Sequence, residues 1–430
     1  MHVRRRLLAT LLGLVALVAA GCGEEPRDEQ AAVSQRLEAS PDAKAVELRA
    51  ELASLLEEEV FLITHAVRSG ARAGFDSELY DAAEKELERT TEKLVDTLSP
   101  LFDARRKDGF RRRLDRLVDL ALGYGREQVE PGRADVAFRR EIDESRAALA
   151  SILADSSRAL SEKDLANHLE LTLDELLLAL DRLGGARRGP LDHAEAAARF
   201  SRGLAGVLAV AVAEDSPEIG GREAATSEPA RLYADLRTLL EEDFQLSFAA
   251  IQVGLAEGFE SAPFRSASLQ VDESAKLFSD RLATIPRVGG GHGGAQSDER
   301  RHGAEHQHHH AVGHLLRRHW QLVELFAREA SAENVAELTK QEIEAALHEV
   351  TTSLARLLAE RTAVQRKSLA EPPDKADKEL LKAIGALVQE DPKAYEHLVK
   401  ALDHVADAAD VLVDGVIFTQ VEDPQPEREP

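Results

Sequence analysis

Apolar residues recur at steps of three and four along most of the chain, and this spacing limits what it can fold into. One such stripe contains Leu48, Leu52, Leu55 and Leu56, and similar stripes follow in segment after segment. The spacing is typical of amphipathic α-helices, and no segment shows the sustained two-residue alternation of a half-buried β-strand. Aromatic residues are only 4% of the sequence, so a core must be built from Leu, Ala and Val. The sequence predicts an all-α protein made of antiparallel helix bundles.

An internal duplication divides the chain into two halves. The segment 52–62 resembles 236–246 at an offset of 184 residues, and Gly70 and Gly74 fall on Gly254 and Gly258. Further along, 117–120 pairs with 322–325 at an offset of 205, which places an insertion of 205 − 184 = 21 residues in the second half. The pattern predicts two tandem homologous bundles, residues 46–214 and 230–421, joined by a linker at 215–229.

Residues 1–21 have the layout of a secretory signal peptide. Three arginines at 4–6 precede an apolar run at 7–18, which is too short to span a bilayer permanently, and small residues follow at 19–21. The segment Val18-Ala-Ala-Gly-Cys22 resembles a bacterial lipobox. The resemblance implies that Cys22 receives a diacylglyceryl group and becomes the mature amino terminus. The alternative is an ordinary signal peptide with a cysteine close to its cleavage site.

Lipidation of Cys22 would attach this chain to a membrane, which is its predicted partner. Cys22 is the single cysteine, so no intrachain disulfide can form. Two or more acyl chains, such as palmitate, suffice for stable anchoring. Residues 22–45 are polar and are predicted to form a flexible tether, and 422–430 a disordered tail. We expect an extracytoplasmic location: the outer membrane or periplasm of a Gram-negative cell, or the surface of a Gram-positive one.

The charge of the chain excludes one class of partner. The net charge is −24, and loss of three arginines with the signal peptide gives −24 − 3 = −27 for the mature chain. Nucleic acids bind to basic grooves, so this surface argues against a nucleic-acid partner. It also argues against broad electrostatic adhesion to anionic lipid, which leaves the acyl chains as the membrane attachment.

The insertion in the second half, residues 289–314, is rich in glycine and histidine. Closely spaced imidazoles bind borderline metals such as zinc, nickel or copper, and glycine-rich flanks predict a flexible loop. The alternative is a solvated low-complexity loop with no selected role. The candidate metal ligands are His292, His302, His306, His308, His309, His310 and His314, with the tract continuing to His319.

Other acidic, basic and histidine residues are predicted to have structural roles. The acidic clusters 57–59 and 241–243 recur in both halves, and we interpret them as solvated helix faces with one acid lining an interhelix groove. A dimetal site in a bundle needs Glu-x-x-His on two helices, whereas only Glu299-x-x-His302 fits. We expect His65, His193 and His404 to hydrogen-bond within the bundles. The basic residues between 105 and 116 could contact lipid phosphates or an acidic partner, but pairing with acids of this chain is favoured.

Each half resembles small helical bacterial proteins of unassigned function, known mainly from Gram-positive genomes. Residues 55–64 follow the opening pattern of that family, Leu-Trp-x-Glu-His-Val-x-Trp-Thr-Arg, while 409–410 and 415–416 follow its close. The resemblance implies a helix bundle. The family's histidine falls on Glu59 and Asp243 and its arginine on Thr64, so any chemistry of those residues is not carried over.

Sequence signatures of enzymes are absent. The chain contains no His-Glu-x-x-His, Gly-x-Ser-x-Gly, Walker, EF-hand or haem-attachment motif. The sequence therefore favours a non-enzymatic binding or scaffolding module that meets another envelope component. The alternative function is extracytoplasmic binding of zinc, nickel or copper by the histidine-rich insertion.

Overall fold

The computed structural model describes residues 41–130, 136–184, 191–285, 298–332, 337–360, 362 and 364–421. Within these residues the chain forms thirteen α-helices, two short 3-10 helices and no β-strand, so the all-α prediction is confirmed. The α-helices are α1 (Pro41–Ala73), α2 (Glu78–Thr97), α3 (Ala104–Val129), α4 (Val136–Ser156), α5 (Glu162–Gly184), α6 (Asp192–Asp215), α7 (Arg222–Thr226), α8 (Glu228–Glu257), α9 (Ala262–Ala283), α10 (Asp298–Ala330), α11 (Glu337–Ala359), α12 (Arg366–Val388) and α13 (Lys393–Val421).

The turns that follow α1 and α8 are built in the same way. Gly74 (φ +100°) and Gly258 (φ +91°) adopt the left-handed backbone conformation in which a side chain is strained. Shortly afterwards Ser77 and Ser261 cap α2 and α9, each accepting a hydrogen bond from a backbone N–H three residues further on. The sequence pattern shared at an offset of 184 therefore encodes one local structure twice.

Close packing explains why glycine occupies positions 70 and 254. A Cβ atom on Gly70 would lie 2.4 Å from the ring of Phe75, and one on Gly254 would lie 2.5 Å from the ring of Phe259. Each glycine lets the aromatic ring after the turn pack directly on the helix backbone. These close approaches explain why a glycine and a phenylalanine occur at both places.

Replacing Gly70 with alanine is expected to lower the free energy of unfolding by about 1–3 kcal/mol, because the Phe75 ring must move. Gly109, within α3, is the matched control, since a Cβ atom there meets nothing within 4 Å. Alanine at position 109 should stabilise the protein by about 0.5–1 kcal/mol through its higher helix propensity. Urea unfolding of both variants tests the pair. Equal effects at the two positions would contradict the packing explanation.

The helices of the two halves pack in the same pairs. In the first half, α1 contacts α2, α3, α5 and α6, while α3, α4 and α5 contact one another. In the second half, α8 contacts α9, α10, α12 and α13, while α10, α11 and α12 contact one another. This agreement is what a duplicated sequence would produce. The division into two homologous bundles stays a prediction.

The two halves share a core through their first long helices. α1 packs directly against α8, and α13 packs on α2. The described residues form one compact unit, and buried apolar residues of both halves belong to one continuous cluster. Because other helices surround α1, every residue from Leu52 to Val67 is buried.

The segment between the halves, 215–229, is packed against the fold. It forms a 3-10 helix at Pro217–Ile219, the short helix α7 and the N-terminus of α8. Ala225 is fully buried beside Ala45 and Ala213. The guanidinium of Arg49 in α1 donates a hydrogen bond of 2.9 Å to the Ala225 carbonyl. The predicted linker is thus held to α1 by both apolar and polar contacts.

Two further helices bear on the sequence interpretation. α10 begins at Asp298, so the expectation of a flexible loop is wrong for residues 298–314 of the insertion, which are helical. Residues 289–297 lie outside the described residues. α6 is long and apolar enough to cross a membrane by composition, but 61% of its apolar window is buried. It packs on α1 and α5, so its apolar residues are part of the protein core.

Candidate functional site

The predicted lipid and metal residues are only partly within the described structure. Cys22 and His292 lie outside the described residues, and so do the side chains of His302, His306, His308 and His309. His310 and His314 are exposed one turn apart on α10. Among the described side chains, no group of three or more His, Cys, Asp or Glu residues is arranged to hold a metal ion. Metal binding by the tract stays a prediction.

The acidic clusters are buried, so their interpretation as solvated faces is wrong. The physical reason is the central position of α1 and α8, which are covered by each other and by the remaining helices of their halves. Their carboxyls therefore meet protein groups where an exposed helix face would meet water. The exposed fractions are Glu57 1%, Glu58 9%, Glu59 8%, Glu241 6%, Glu242 0% and Asp243 4%.

A single arginine joins carboxylates from the two halves. Arg202 of α6 donates through Nε to Glu57 Oε2 at 2.7 Å and through Nη2 to Glu57 Oε1 at 3.2 Å. Nη2 also pairs with Glu242 of α8. Burial raises the pKa of Glu57 to about 8, Arg202 opposes the shift, and Glu242 adds to it. One cation thus faces two buried carboxyls from different halves.

His65 is fully buried in a polar cluster that joins α1, α8 and α13. Gln252 Oε1 lies 2.8 Å from Nδ1, and the amide of Gln245 lies 2.9 Å from Nε2. Gln252 also donates to Ser69 Oγ and to the Tyr395 hydroxyl, at 3.2 and 3.0 Å. Burial lowers the pKa of His65 to about 4, so the ring is neutral at pH 7. The expected structural role of His65 agrees with these contacts.

His193 and His404, unlike His65, lie beside carboxylates. His193 Nδ1 is 2.6 Å from Glu175 Oε2, which joins α6 to α5. His404 Nδ1 is 3.4 Å from Asp407 Oδ2, within α13. The first contact crosses between helices, as expected from the sequence, and the second stays within one helix.

Several members of the basic segment 105–116 pair with acids of this chain. Lys107 Nζ lies 2.7 Å from Asp96 Oδ1, and Arg111 Nη1 lies 3.5 Å from Glu92 Oε1. Arg116 pairs with Glu141 of α4. These contacts favour the structural interpretation over a lipid or protein contact.

The first half encloses a cavity of about 80 Å³ in its core. Its polar lining is limited to Glu59, Thr172 and Ser201. Glu59 accepts a hydrogen bond of 2.9 Å from the Thr91 hydroxyl, and burial raises its pKa to about 7. The apolar wall includes Leu56, Val60, Leu94, Leu114, Leu149, Leu173 and Leu204. We call this the first cavity.

The second half encloses a cavity of about 60 Å³, which we call the second cavity. Asp243, His319, Thr351 and Asp377 are its polar lining. His319 Nε2 donates to Asp377 Oδ1 at 2.7 Å, and the Thr351 hydroxyl donates to Asp377 Oδ2 at 2.6 Å. The apolar wall includes Leu240, Phe244, Leu316, Leu354, Leu369, Val405 and Leu412.

The protonation of the polar lining follows from its surroundings. Burial raises the pKa of Asp243 to about 7, and nearby His319 opposes the shift. Burial works against a charged His319, but Asp377 outweighs it and raises the pKa of the imidazole. Among the described residues, no group hydrogen-bonds Asp243 Oδ1 or His319 Nδ1, and both atoms are buried.

The two cavities occupy corresponding places in the two halves. Leu56, Glu59 and Val60 of the first cavity fall on residues 240, 243 and 244 of the second at the offset of 184. At the offset of 205, His319 falls on Leu114, which lines the first cavity. The acid at the cavity is therefore common to both halves, whereas the histidine occurs only in the second.

Comparisons with known proteins add no assignment. No protein-family model matches the chain, and no similar curated protein or solved structure is found. The functional argument therefore rests on the geometry of the cavities and on the sequence.

Proposed function

We propose that this protein is a membrane-anchored envelope lipoprotein that acts as a non-enzymatic binding or scaffolding module. The observation that supports binding is the pair of cavities in corresponding places. Each has a mostly apolar wall and a few polar groups, a composition typical of small-molecule sites. A cavity needs about 10–15 Å³ to hold one water, so both are large enough for a short apolar molecule.

The anchor is Cys22, which the lipobox resemblance marks for acylation. Radioactive palmitate supplied to cells should label the chain, and a Cys22→Ser form should leave the membrane fraction. An unlabelled chain, or a serine form that stays in that fraction, would remove the anchor from the proposal. The cavities would then belong to a protein of another compartment.

A dry apolar cavity of about 150 Å³ takes up benzene or xenon. The cavities of this chain are about 80 and 60 Å³, so the smaller probe, xenon, is expected to enter both cavities of the full chain. In methyl-resolved NMR the lining leucines of each half report on its own cavity. Replacing Ala121 in the first cavity or Ala408 in the second with leucine fills that cavity. Each substitution should abolish the ligand-induced chemical-shift changes of the methyl groups in that half alone. Shifts that survive both substitutions, or none in the unmodified chain, would contradict internal binding. The two variants serve as controls for each other.

The second candidate function is extracytoplasmic binding of zinc, nickel or copper. The favouring observation is that α10 covers residues 298–330 as one helix, so positions 302, 306, 310 and 314 recur every four residues. Zinc dialysis of the full chain, compared with a form carrying glutamine at the seven candidate histidines, tests this function. Loss of stoichiometric zinc in the substituted form supports metal handling, and equal weak binding by both forms supports the first proposal. Substitution is preferable to deletion because Val312 and Leu316 of α10 are buried.

A further inference from the structure

Two buried polar atoms in the second cavity require a partner that the described protein does not supply. Asp243 Oδ1 and His319 Nδ1 have no hydrogen-bond partner among the described residues, although Asp243 is only 4% exposed and His319 only 7%. Both side chains line the cavity. Leaving such atoms unsatisfied costs free energy, so a bound group that satisfies both would be favoured.

The neighbours of these atoms define what the missing group must offer. His319 already donates through Nε2 to Asp377, which also accepts from Thr351, so this side of the imidazole is fixed. The Phe244 ring, 5.7 Å from the imidazole between centroids, closes the site on the side of α8. A group that reaches both atoms must accept a hydrogen bond from one partner and donate one to the other.

We propose that the second cavity binds an apolar molecule through a terminal hydroxyl group, which bridges Asp243 and His319 while the hydrocarbon part occupies the apolar wall. The inference rests on the proposed binding function and names its ligand class. A hydroxyl carries one donor and two acceptor positions. Because His319 Nε2 donates to Asp377, Nδ1 carries a proton only in the imidazolium form. The hydroxyl then accepts from Nδ1–H and donates to the Asp243 carboxylate; with a neutral ring it donates to Nδ1 and accepts from protonated Asp243. A charged head group would need to be desolvated in an enclosed cavity, whereas an alcohol loses less on entering.

The first cavity is an internal control within the same molecule. There Glu59 already accepts a hydrogen bond from Thr91, and Leu114 stands where the second half has His319. The first cavity therefore lacks the unpartnered pair and should prefer the more apolar of two similar molecules.

The test is a methyl-resolved NMR titration of the full chain with ethanol and with chloroethane, which has the same carbon chain and no hydroxyl. In the second cavity ethanol is expected to bind about tenfold more tightly, the effect of one to two net hydrogen bonds. In the first cavity the order should reverse. Each added methylene should tighten binding by about fourfold until the cavity is full.

Two variants locate the preference. Asp243→Asn and His319→Gln should each bring the two affinities at the second cavity within about twofold. The glutamine at 319 keeps a donor for Asp377, which protects the fold. Glu59→Gln is the matched control and should leave the preference at the second cavity unchanged.

The outcomes separate the two proposals. If xenon binds in the second cavity but ethanol shows no advantage over chloroethane, or keeps it in both variants, the hydroxyl inference is overturned and the binding function stands. Acetate or ethylammonium binding more tightly than ethanol would also overturn it, in favour of a charged head group. If neither xenon nor any two-carbon compound shifts the lining methyl groups, the site holds buried water only, and both proposals fail.

Discussion

Replacing Arg202 with methionine is expected to lower the free energy of unfolding by about 3–5 kcal/mol at pH 8. The substitution leaves Glu57 and Glu242 buried, at 1% and 0% exposure, without their shared cation. A carboxylate left unpaired in a core must either lose its charge or bear the full cost of desolvation. The loss should be smaller at pH 5, where a proton can replace the cation. Urea unfolding at the two pH values measures both effects.

Arg140→Met is the matched control, since it also removes an arginine paired with a glutamate. The Arg140 and Glu144 side chains are 74% and 71% exposed, and exposed pairs contribute little, so the expected loss is below about 1 kcal/mol. Adding Glu57→Gln and Glu242→Gln to the Arg202→Met chain should recover part of its stability. If Arg202→Met costs no more than the control, Arg202 is not needed to hold the two halves together.

The helices could be predicted because their signals are local. The three- and four-residue spacing predicted the apolar stripes of the helices. The glycines at 74 and 258 indicated the duplication from sequence, and the structure shows that they form turns before the helix caps at Ser77 and Ser261. Each signal depends on neighbours within a few residues. The all-α class could therefore be predicted from the sequence. The packing of α1 against α8, which joins the two halves in one core, could not.

The acidic clusters were misinterpreted because burial depends on contacts far away in sequence. An acid between leucines resembles a solvated face when only one helix is considered. The partner of Glu57 lies 145 residues away in Arg202, and Glu59 meets Thr91 across the α1–α2 pair. One local signal was available: from Leu52 to Val67, α1 has no continuous polar face, which is typical of a helix covered on all sides.

The cavities could not be predicted from the sequence. Their existence depends on how six helices in the first half and five in the second close around cores poor in aromatic residues, and their polar groups come from separate helices. His319 and Asp377 are 58 residues apart, and the histidine belongs by sequence to the metal-ligand tract. Only the helical phase of α10 separates it from exposed His310 and His314 and directs it into the core.

The stability of this protein is expected to fall as pH rises from 6 to 8. Burial raises the pKa of Glu57 to about 8 and of Glu58, Glu59 and Asp243 to about 7. In the unfolded chain these groups titrate near 4.5 for glutamate and 3.8 for aspartate. Between these limits the folded protein holds protons that the unfolded chain releases. Their contribution is complete below about pH 4 and is lost as pH rises through 7 to 8.

His65 opposes this trend over a lower range. Burial lowers its pKa from 6.5 to about 4, so its contribution is present above pH 6.5 and is lost as pH falls towards 4. His319, whose pKa Asp377 raises against the effect of burial, follows the carboxyls and loses its contribution as pH rises. Between pH 6.5 and 8, His65 therefore does not oppose the buried carboxyls. Over this range each carboxyl lowers the free energy of unfolding by up to about 1.4 kcal/mol per pH unit.

Glu59→Gln isolates one of these carboxyls. Glutamine keeps an acceptor for the Thr91 hydroxyl and cannot titrate, so the slope of unfolding free energy between pH 6 and 8 should fall by up to about 1.4 kcal/mol per pH unit. Glu88→Gln, at an exposed position on α2, should leave the slope unchanged. A series of urea unfolding curves at half-unit pH steps provides the measurement. A flat or rising stability in the unmodified chain, or an unchanged slope in Glu59→Gln, would show that these carboxyls are ionised in the folded core. The acid at the first cavity would then meet a ligand as a charge, because a carboxylate excludes the apolar molecules that a neutral acid admits.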